Sequence, residues 1–265
     1  MPVDFTRKDR YTMEDLLSIM RILRLPDGCP WDREQTHESI RTNLLEETHE
    51  AIEAIDTGDM PGLCEELGDV LMQVVFHAQM EEEVGGFTFA DVVNGVCRKL
   101  ITRHPHVFGD TEVSDSTQVL QNWDAIKRAE KKTDGQTDLL RHVPKTLPSL
   151  MRAEKVQGRA RRVGFDWREI SGAWDALSSE IAELKEAEAS GDADAMADEL
   201  GDVLFSVVNV ARFMGIDPEL ALTRSTDKFV RRFGRTEQLA REQGVDMASA
   251  SMDKLDELWA LAKSE

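Results

Sequence analysis

The chain has 265 residues, of which 41% are hydrophobic, 51 are acidic and 32 are basic, so its formal net charge is −19. This length accommodates one large domain or two ordinary ones, and the negative charge argues against a general nucleic-acid-binding protein. The three cysteines have no paired spacing, so neither a disulfide framework nor a zinc site is predicted.

No apolar run approaches the roughly 20 residues of a membrane span. The N-terminus is charged from Asp4 onward, which predicts no signal peptide. We therefore expect a cytoplasmic protein that binds neither membranes nor nucleic acid.

Hydrophobic residues recur with the period of a helix in nearly every segment. The first predicted helix covers residues 12–24, with Thr12 as its N-cap, and residues 26–32 are predicted to form a turn. The later predicted helices cover residues 36–56, 60–84, 88–103, 115–132, 149–162, 171–190, 193–214, 217–233 and 252–264. Because no segment alternates with the period of a strand, the sequence predicts an all-α fold.

One stretch of the chain occurs twice. Shifting the sequence by 133 positions aligns residues 47–78 with 180–211 without a gap, and 15 of the 32 positions are identical. The identities include four acidic pairs: Glu47 with Glu180, Glu50 with Glu183, Glu66 with Glu199, and Asp69 with Asp202. A repeat this long indicates two related domains rather than a solenoid. We predict domains at 1–132 and 148–265, joined by a polar linker at 133–147 that contains Gly135 and Pro144.

The repeated acids have the spacing of metal ligands. Each pair is three residues apart and lies on one helix face, and apolar residues surround Glu66, Asp69 and their counterparts. Carboxylates near an apolar core are destabilising unless they are paired or bound to a metal. If the two helices pack antiparallel, four carboxylates converge, which suits Mg²⁺ or Mn²⁺. The alternative is that the acids form salt bridges with lysine and arginine.

Each half then continues with a basic pair and a Trp-x-x-x-Lys motif. The residues are Lys99, Arg103, Trp123 and Lys127 in the first half and Lys228, Arg232, Trp259 and Lys263 in the second. A basic pair on one helix face suits phosphate oxygens, and an indole ring suits stacking on a base. Singly, these features are typical of a solvated face or of packing, but their repetition favours a binding role.

Together these segments resemble the MazG family of nucleoside triphosphate pyrophosphohydrolases. The resemblance rests on CPWD at 29–32, LLEETHEAIEAI at 44–55, EELGDVLMQVVFHAQ at 65–79, HPHVF at 104–108, VGFDW at 163–167, DELGDVLFSVVNVAR at 198–212 and the Trp-x-x-x-Lys motif. It implies an all-α, Mg²⁺-dependent enzyme that splits nucleoside triphosphates between the α and β phosphates. It also implies tandem domains that assemble as an intertwined homodimer.

The resemblance assigns roles to matching positions. It implies metal binding by Glu180, Glu183, Glu199 and Asp202 in the second copy and by Glu47, Glu50, Glu66 and Asp69 in the first. It implies nucleotide binding by Lys228, Arg232 and Trp259, with Lys127 as an addition. The C-terminal copy is then the catalyst and the N-terminal copy a supporting or regulatory unit.

One residue departs from the family pattern. The first copy has adjacent glutamates, Glu46 and Glu47, whereas the second has Ser179 before Glu180. If the leading glutamate activates water, the first copy is the better catalyst. If the leading glutamate supports the metal ligands without binding the metal itself, Ser179 can replace it by hydrogen bonding. We favour this interpretation, in which the second copy is the catalyst.

The expected reaction is in-line attack of water on the α-phosphorus, with two Mg²⁺ ions bridging the triphosphate. No side-chain nucleophile is predicted, because the cysteines and histidines form no recognisable triad and there is no glycine-rich phosphate loop. A broad nucleotide-pool enzyme is the main hypothesis. The alternatives are a narrower dUTP or phosphoribosyl-ATP pyrophosphohydrolase, and a regulatory module that binds metal and nucleotide.

Association is expected from the apolar character of the acidic helices. They carry more apolar residues than one stripe of a helix requires: Val74, Val75, Phe76, Val207, Val208 and Val210. We therefore predict a homodimer in which two chains complete each bundle.

Overall fold

The computed structural model describes residues 5–131 and 136–264, and every regular element in those residues is a helix. The predicted all-α fold is therefore confirmed. The chain divides into two compact units, unit 1 at Met1–Lys131 and unit 2 at Lys132–Glu265. The boundaries 1–132 and 148–265 stay a prediction, and residues 133–135 of the predicted linker lie outside the described residues. Within the described ranges, no helix is both long and apolar enough to cross a bilayer.

Unit 1 is a helical bundle built around a hairpin of two long helices. Its helices are α1 (Met13–Arg24), α2 (Pro30–Glu34), α3 (Arg41–Thr57), α4 (Met60–Glu83), α5 (Phe89–Arg103), α6 (Pro105–Phe108) and α7 (Ser116–Lys131). Thr12 caps α1 as predicted, since its side chain accepts a hydrogen bond from the Asp15 backbone N–H. The core joins α1, α4 and the residue before α3 through Met20, Ile40, Val75, Phe76 and Met80.

Unit 2 repeats the hairpin and adds two long C-terminal helices. Its helices are α8 (Gln136–Arg141), α9 (Ser149–Arg161), α10 (Ile170–Ser190), α11 (Ala193–Phe213), α12 (Pro218–Glu242) and α13 (Met252–Ser264). Helices α10 and α11 pack together most extensively, around Ala173, Leu177 and Val210. A second apolar cluster holds α13 against α12.

Several predicted boundaries were wrong. The predicted turn at 26–32 ends in helix α2, and α3 begins five residues later than expected. The segment 36–39 forms a turn instead, in which the Thr36 and Ser39 side chains accept hydrogen bonds from each other's backbone N–H groups. Short helices α6 and α8 lie in segments where the sequence predicts no helix, α8 within the predicted linker.

The largest error concerns α12, which continues to Glu242 instead of ending at 233. Gly234 lies within this helix, and close packing does not require a glycine there, because a Cβ added at that position would meet nothing within 4 Å. The extra turns carry Leu239 and Ala240, which pack against Leu258 and Ala262 of α13. Tertiary packing therefore outweighs the low helix propensity of glycine.

Candidate active site

The two hairpins that carry the acids share one turn. Gly58 and Gly191 end α3 and α10 in the left-handed conformation, with φ of 73° and 72°, which costs glycine no steric strain. Asp59 and Asp192 follow at once, and each caps the next helix by accepting backbone N–H hydrogen bonds. The second helix therefore folds back against the first and places the two sets of acids opposite each other.

In unit 2 three of the predicted acids converge. One carboxylate oxygen from each of Glu180, Glu199 and Asp202 lies within 4.8 Å of the others. Glu180 comes from α10 and the other two from α11, so the cluster exists only because the helices pack together. Glu180 and Glu199 are half-buried, whereas Asp202 is exposed.

Unit 1 reproduces the arrangement with half-buried Glu47, Glu66 and Asp69, again within 4.8 Å of one another. The fourth predicted acid of each unit, Glu50 or Glu183, is exposed and is not part of the convergent set. The structure thus brings three of the four predicted acids of each unit within 4.8 Å of one another, and the metal-binding role of all four stays a prediction.

Burial and mutual repulsion raise the pKa values of two acids in the unit 2 cluster. Burial raises the pKa of Glu180, and the charges of Glu183, Asp202 and Glu199 raise it further. Burial also raises the pKa of Glu199, again with help from Glu183 and Asp202. Burial and neighbouring acids likewise raise the pKa of Glu47 and Glu66 in unit 1. Glu183 therefore belongs to the electrostatic environment even though its oxygens stand apart.

The acids have no cationic partners in the parts of the chain that the structure describes, since none of them takes part in an ion pair. This observation argues against the salt-bridge alternative. Several uncompensated carboxylate oxygens drawn from two helices suit a hard divalent cation such as Mg²⁺. The donor set therefore fits the expected metal.

Ser179 has a defined contact. Its hydroxyl donates a hydrogen bond to Oε1 of Glu183, with an Oγ–Oε1 distance of 2.9 Å. The corresponding residue in unit 1, Glu46, is exposed. Ser179 thus orients Glu183, the acid beside the convergent set.

The predicted nucleotide-binding groups occupy other elements. Lys228 is exposed and Arg232 is half-buried on α12, and neither forms an ion pair with a described residue. The Trp259 ring on α13 packs against Phe229, with 5.2 Å between the ring centroids. The Lys263 ammonium lies 6.0 Å from the centre of the same ring. Lys127 belongs to unit 1, where its ammonium lies 5.8 Å from the centre of the Trp123 ring.

Unit 1 also contains a hydrogen-bonded row of two histidines and a glutamate that the sequence did not predict. The Nδ1 atoms of His37 and His77 are 2.7 Å apart, and Nε2 of His37 lies 2.8 Å from Oε1 of Glu81. Burial and the neighbouring His37 lower the pKa of His77. These hydrogen bonds connect the turn before α3 to α4. The two histidines are about 40 residues apart in sequence, so no local motif could reveal the row.

Sequence reasoning also missed a cavity of about 500 Å³ in unit 2, between α9, the segment 164–167 and α11. Its polar lining includes Gln157, Asp166, Asn209 and Arg212. The sequence signals are the segment VGFDW at 163–167, which supplies Phe165, Asp166 and Trp167 of the lining, and Asn209, a polar residue within the apolar run of α11. Gln157 lies outside the repeat and carries no such signal.

The family model of the MazG nucleotide pyrophosphohydrolase domain matches the chain twice, at residues 35–108 and 171–235. Together the two matches cover more than half of the chain. The chain belongs to the MazG family. Both matches include the convergent acids of their unit and the hairpin that carries them.

Two relatives that the chain covers almost completely agree with this assignment. The chain is 45% identical to the nucleoside triphosphate pyrophosphohydrolase/pyrophosphatase MazG of Thermotoga maritima, over 94% of this chain and 95% of that protein. It is 41% identical to the nucleoside triphosphate pyrophosphohydrolase of Escherichia coli K12, over 96% and 97%. It is also 50% identical to the uncharacterised protein YabN of Bacillus subtilis, over 93% of this chain but only 50% of that protein.

Proposed function

We propose that this MazG-family chain hydrolyses nucleoside triphosphates to nucleoside monophosphates and pyrophosphate in a Mg²⁺-dependent reaction. The observation that carries the proposal is the convergence of three carboxylates in each unit, without a cationic partner among residues 5–131 and 136–264. The names of the Thermotoga maritima and Escherichia coli relatives support the reaction class.

We assign the metal to Glu180, Glu199 and Asp202, with Glu183 beside them. When bound, Mg²⁺ would neutralise phosphate charge and polarise the phosphoryl group under attack. It would also relieve the repulsion that raises the pKa of Glu180 and Glu199. A chain with a net charge of −19 can bind a polyanion in this way only through local cations.

The remaining roles follow from where the side chains lie. Lys228 and Arg232, four residues apart on α12 and without an ion-pair partner among the described residues, suit oxygens of the triphosphate. Ser179 fixes Oε1 of Glu183, which leaves the other oxygen to accept a hydrogen bond from the attacking water. We propose unit 2 as the catalyst and unit 1 as a supporting unit with its own metal site.

A substrate panel tests the breadth of the activity. We expect ribo- and deoxynucleoside triphosphates with different bases all to yield monophosphate and pyrophosphate with Mg²⁺, because stacking and phosphate binding tolerate any base. Both products are quantified for each substrate, with EDTA-treated protein as the control. Turnover of only dUTP or phosphoribosyl-ATP would favour the narrower enzyme, and nucleotide binding without turnover would favour the regulatory module.

We also propose a homodimer, through residues that match the predicted ones only in part. Of the six predicted residues, Val75, Phe76, Val208 and Val210 are already buried in their own units, whereas Val207 is 43% exposed. Further uncovered apolar side chains sit one turn apart on α4 and α11, at equivalent positions of the repeat: Leu67 (54% exposed), Leu71 (39%), Leu200 (49%) and Leu204 (50%). Apolar stripes of this kind are typical of helices that pack against a partner.

Light scattering at micromolar concentration tests the dimer. We expect twice the 29.9 kDa mass of one chain, and a lower mass for Leu204→Asp, because a charge in an apolar interface is costly. Glu188→Gln, on the exposed surface of α10, is the control. A wild-type mass near 30 kDa would contradict the prediction.

A further inference from the structure

Unit 1 holds a cluster of titratable side chains outside the acidic site, namely His37, His77 and Glu81, which we call the histidine row. Its two imidazole rings meet edge to edge. Their planes are 7° from parallel, with 5.0 Å between the ring centroids. Parallel rings stacked face to face stay about 3.5 Å apart, so Nδ1 atoms only 2.7 Å apart require the rings to lie side by side. The contact is therefore an N–H···N hydrogen bond with one proton between the two nitrogens.

The contacts of the row determine how many protons it can hold. Nε2 of His37 donates to Oε1 of Glu81 at 2.8 Å, so in the neutral pair Nδ1 of His37 accepts and Nδ1 of His77 donates. A first added proton can bind Nε2 of His77 and leave this hydrogen bond intact. A second added proton places N–H groups on both Nδ1 atoms, and repulsion between two cations replaces the hydrogen bond.

The charges around the row compensate one histidine and not two. They come from α1, the turn before α3, the start of α3, and α4: Arg24, Glu38, Arg41, Glu81 and Glu83. Arg24 and Glu83 neutralise each other through hydrogen bonds of 2.8 and 2.9 Å. Glu38 and Arg41 are exposed and of opposite sign. Glu81 is thus the acid that directly balances a charge on His37.

The histidine row lies at the open end of the α3–α4 hairpin. The two helices are joined through Gly58 at the other end, and the acids of unit 1 lie between the two ends. His37 precedes α3 by four residues, and His77 lies in the last third of α4. The row therefore closes the end of the hairpin that the turn leaves unconnected.

Unit 2 has an apolar contact in the corresponding place. The shift of 133 positions aligns His77 with Val210, which is 5% exposed and packs with Ala173 and Leu177. Because a valine does not titrate, this contact does not respond to pH. The two hairpins therefore differ at this position in a titratable group.

We propose that the histidine row is a pH-sensitive clasp, which holds the open end of the α3–α4 hairpin together at neutral pH and releases it on acidification. The released hairpin keeps its turn at Gly58 and loses the hydrogen bonds between the segment 36–39 and α4. Unit 1 is then the acid-sensitive unit of the chain. The clasp needs neither metal nor nucleotide, so its test is independent of the proposed function.

Linkage gives the direction of the pH effect. Burial and the charge of His37 lower the pKa of His77 below its usual 6.5, so the folded state binds this proton less tightly than the unfolded state. The stabilisation is complete above about 6.5 and is lost as the pH falls through the lowered value. The raised pKa values of Glu47 and Glu66 act in the opposite direction, because they make the hairpin more stable as the pH falls. A loss in acid therefore reports the histidine row.

Amide hydrogen exchange of the metal-free, full-length protein at about pH 7.5 and about pH 5 tests the clasp, with rates corrected for the intrinsic effect of pH. The reporters are the amides of Ile40 and Leu44, which donate to the carbonyls of Thr36 and Ile40. We expect them to lose protection about tenfold in acid, the effect of one hydrogen bond. The start of α10 in unit 2, at 170–177, should keep its protection.

His77→Asn separates the hydrogen bond from its titration, because an asparagine amide can donate from the position of Nδ1 without changing charge. It should show no loss of protection in acid, and neither should His77→Leu, which has no clasp to release. The matched control is His142→Asn, at an exposed histidine of unit 2, which should behave as wild type. A loss in both His77 variants as large as in wild type would overturn the proposal, as would full protection of the wild type in acid.

Ring ¹⁵N spectra of the wild type give a second readout that needs no substitution. His77 should take up its proton below the usual 6.5, over the same pH range in which Ile40 and Leu44 lose protection. Titration of His77 at its usual value, or loss of protection in a separate pH range, would contradict the clasp.

Discussion

Glu199→Gln is expected to lower Mg²⁺-dependent turnover by at least about 10²-fold, the scale of losing a charge that acts in a preorganised site. The amide keeps the shape of the side chain, so the helical content should not change. The matched control is Glu188→Gln, an exposed glutamate on α10 outside the cluster, which should retain wild-type turnover.

The same substitution should make the metal-free protein more resistant to heat. Burial and the charges of Glu183 and Asp202 raise the pKa of Glu199 above its usual 4.5, so the folded state holds this proton more tightly than the unfolded state. Stability is therefore greatest while Glu199 is protonated and falls as the pH rises from about 4.5 through the raised value. An amide removes that loss, so the gain in Tm over wild type should grow with pH.

Mg²⁺ should reverse the order of Tm, because it stabilises both units of the wild type but only unit 1 of the variant to the full extent. The outcome expected from a structural salt bridge is the opposite, namely a lower Tm for Glu199→Gln at neutral pH. Glu66→Gln separates the units, since it should gain stability in the same way and keep most of the turnover. Near-normal turnover in Glu199→Gln, together with loss in Glu66→Gln, would move catalysis to unit 1.

Arg212→Ala is expected to destabilise unit 2 by about 3–5 kcal/mol, the cost of leaving one charge of a buried pair without its partner. Arg212 holds both oxygens of Asp166 and the Oδ1 atom of Asn209, and its guanidinium lies 4.6 Å from the centre of the Phe213 ring. Its removal therefore takes a contact from an amide and an aromatic ring, and it leaves Asp166 with the mostly exposed Arg161, whose Nε lies 3.8 Å from Oδ2, as its cationic neighbour.

Urea denaturation measures this loss against a matched control. Arg241→Ala removes a 2.8 Å ion pair with Glu237 whose side chains are 73% and 49% exposed, and such pairs contribute about 0.5 kcal/mol or less. The double variant Arg212→Met with Asp166→Leu should recover much of the stability, because it leaves no unpaired charge. Equal effects of Arg212→Ala and Arg241→Ala would show that the buried pair is not structurally important.

The fold was predictable because it depends on local patterns. Helical periodicity predicts the long helices, and the gaps between them at 57–59 and 191–192 coincide with both hairpin turns. The end of α12 was not predictable, since it depends on contacts with α13 that lie about twenty residues later in the chain.

The candidate site was likewise predictable only where it depends on local spacing. Spacing of three residues placed Glu66 with Asp69 and Glu199 with Asp202 on one face, and the repeat singled them out. Spacing alone does not fix the rotation of one packed helix against another, which is why Glu50 and Glu183 stand outside the convergent sets. The contact of Gln157 with Phe205 spans 48 residues, so only the folded chain reveals the cavity.

Hydrolysis of ATP in ¹⁸O-labelled water with Mg²⁺ tests the central claim most directly, with EDTA-treated protein and Glu199→Gln as controls. In-line attack on the α-phosphorus predicts AMP and pyrophosphate as products, with ¹⁸O in AMP alone. ¹⁸O in the pyrophosphate would place the attack on the β-phosphorus. Release of ADP and orthophosphate would contradict pyrophosphohydrolase activity altogether.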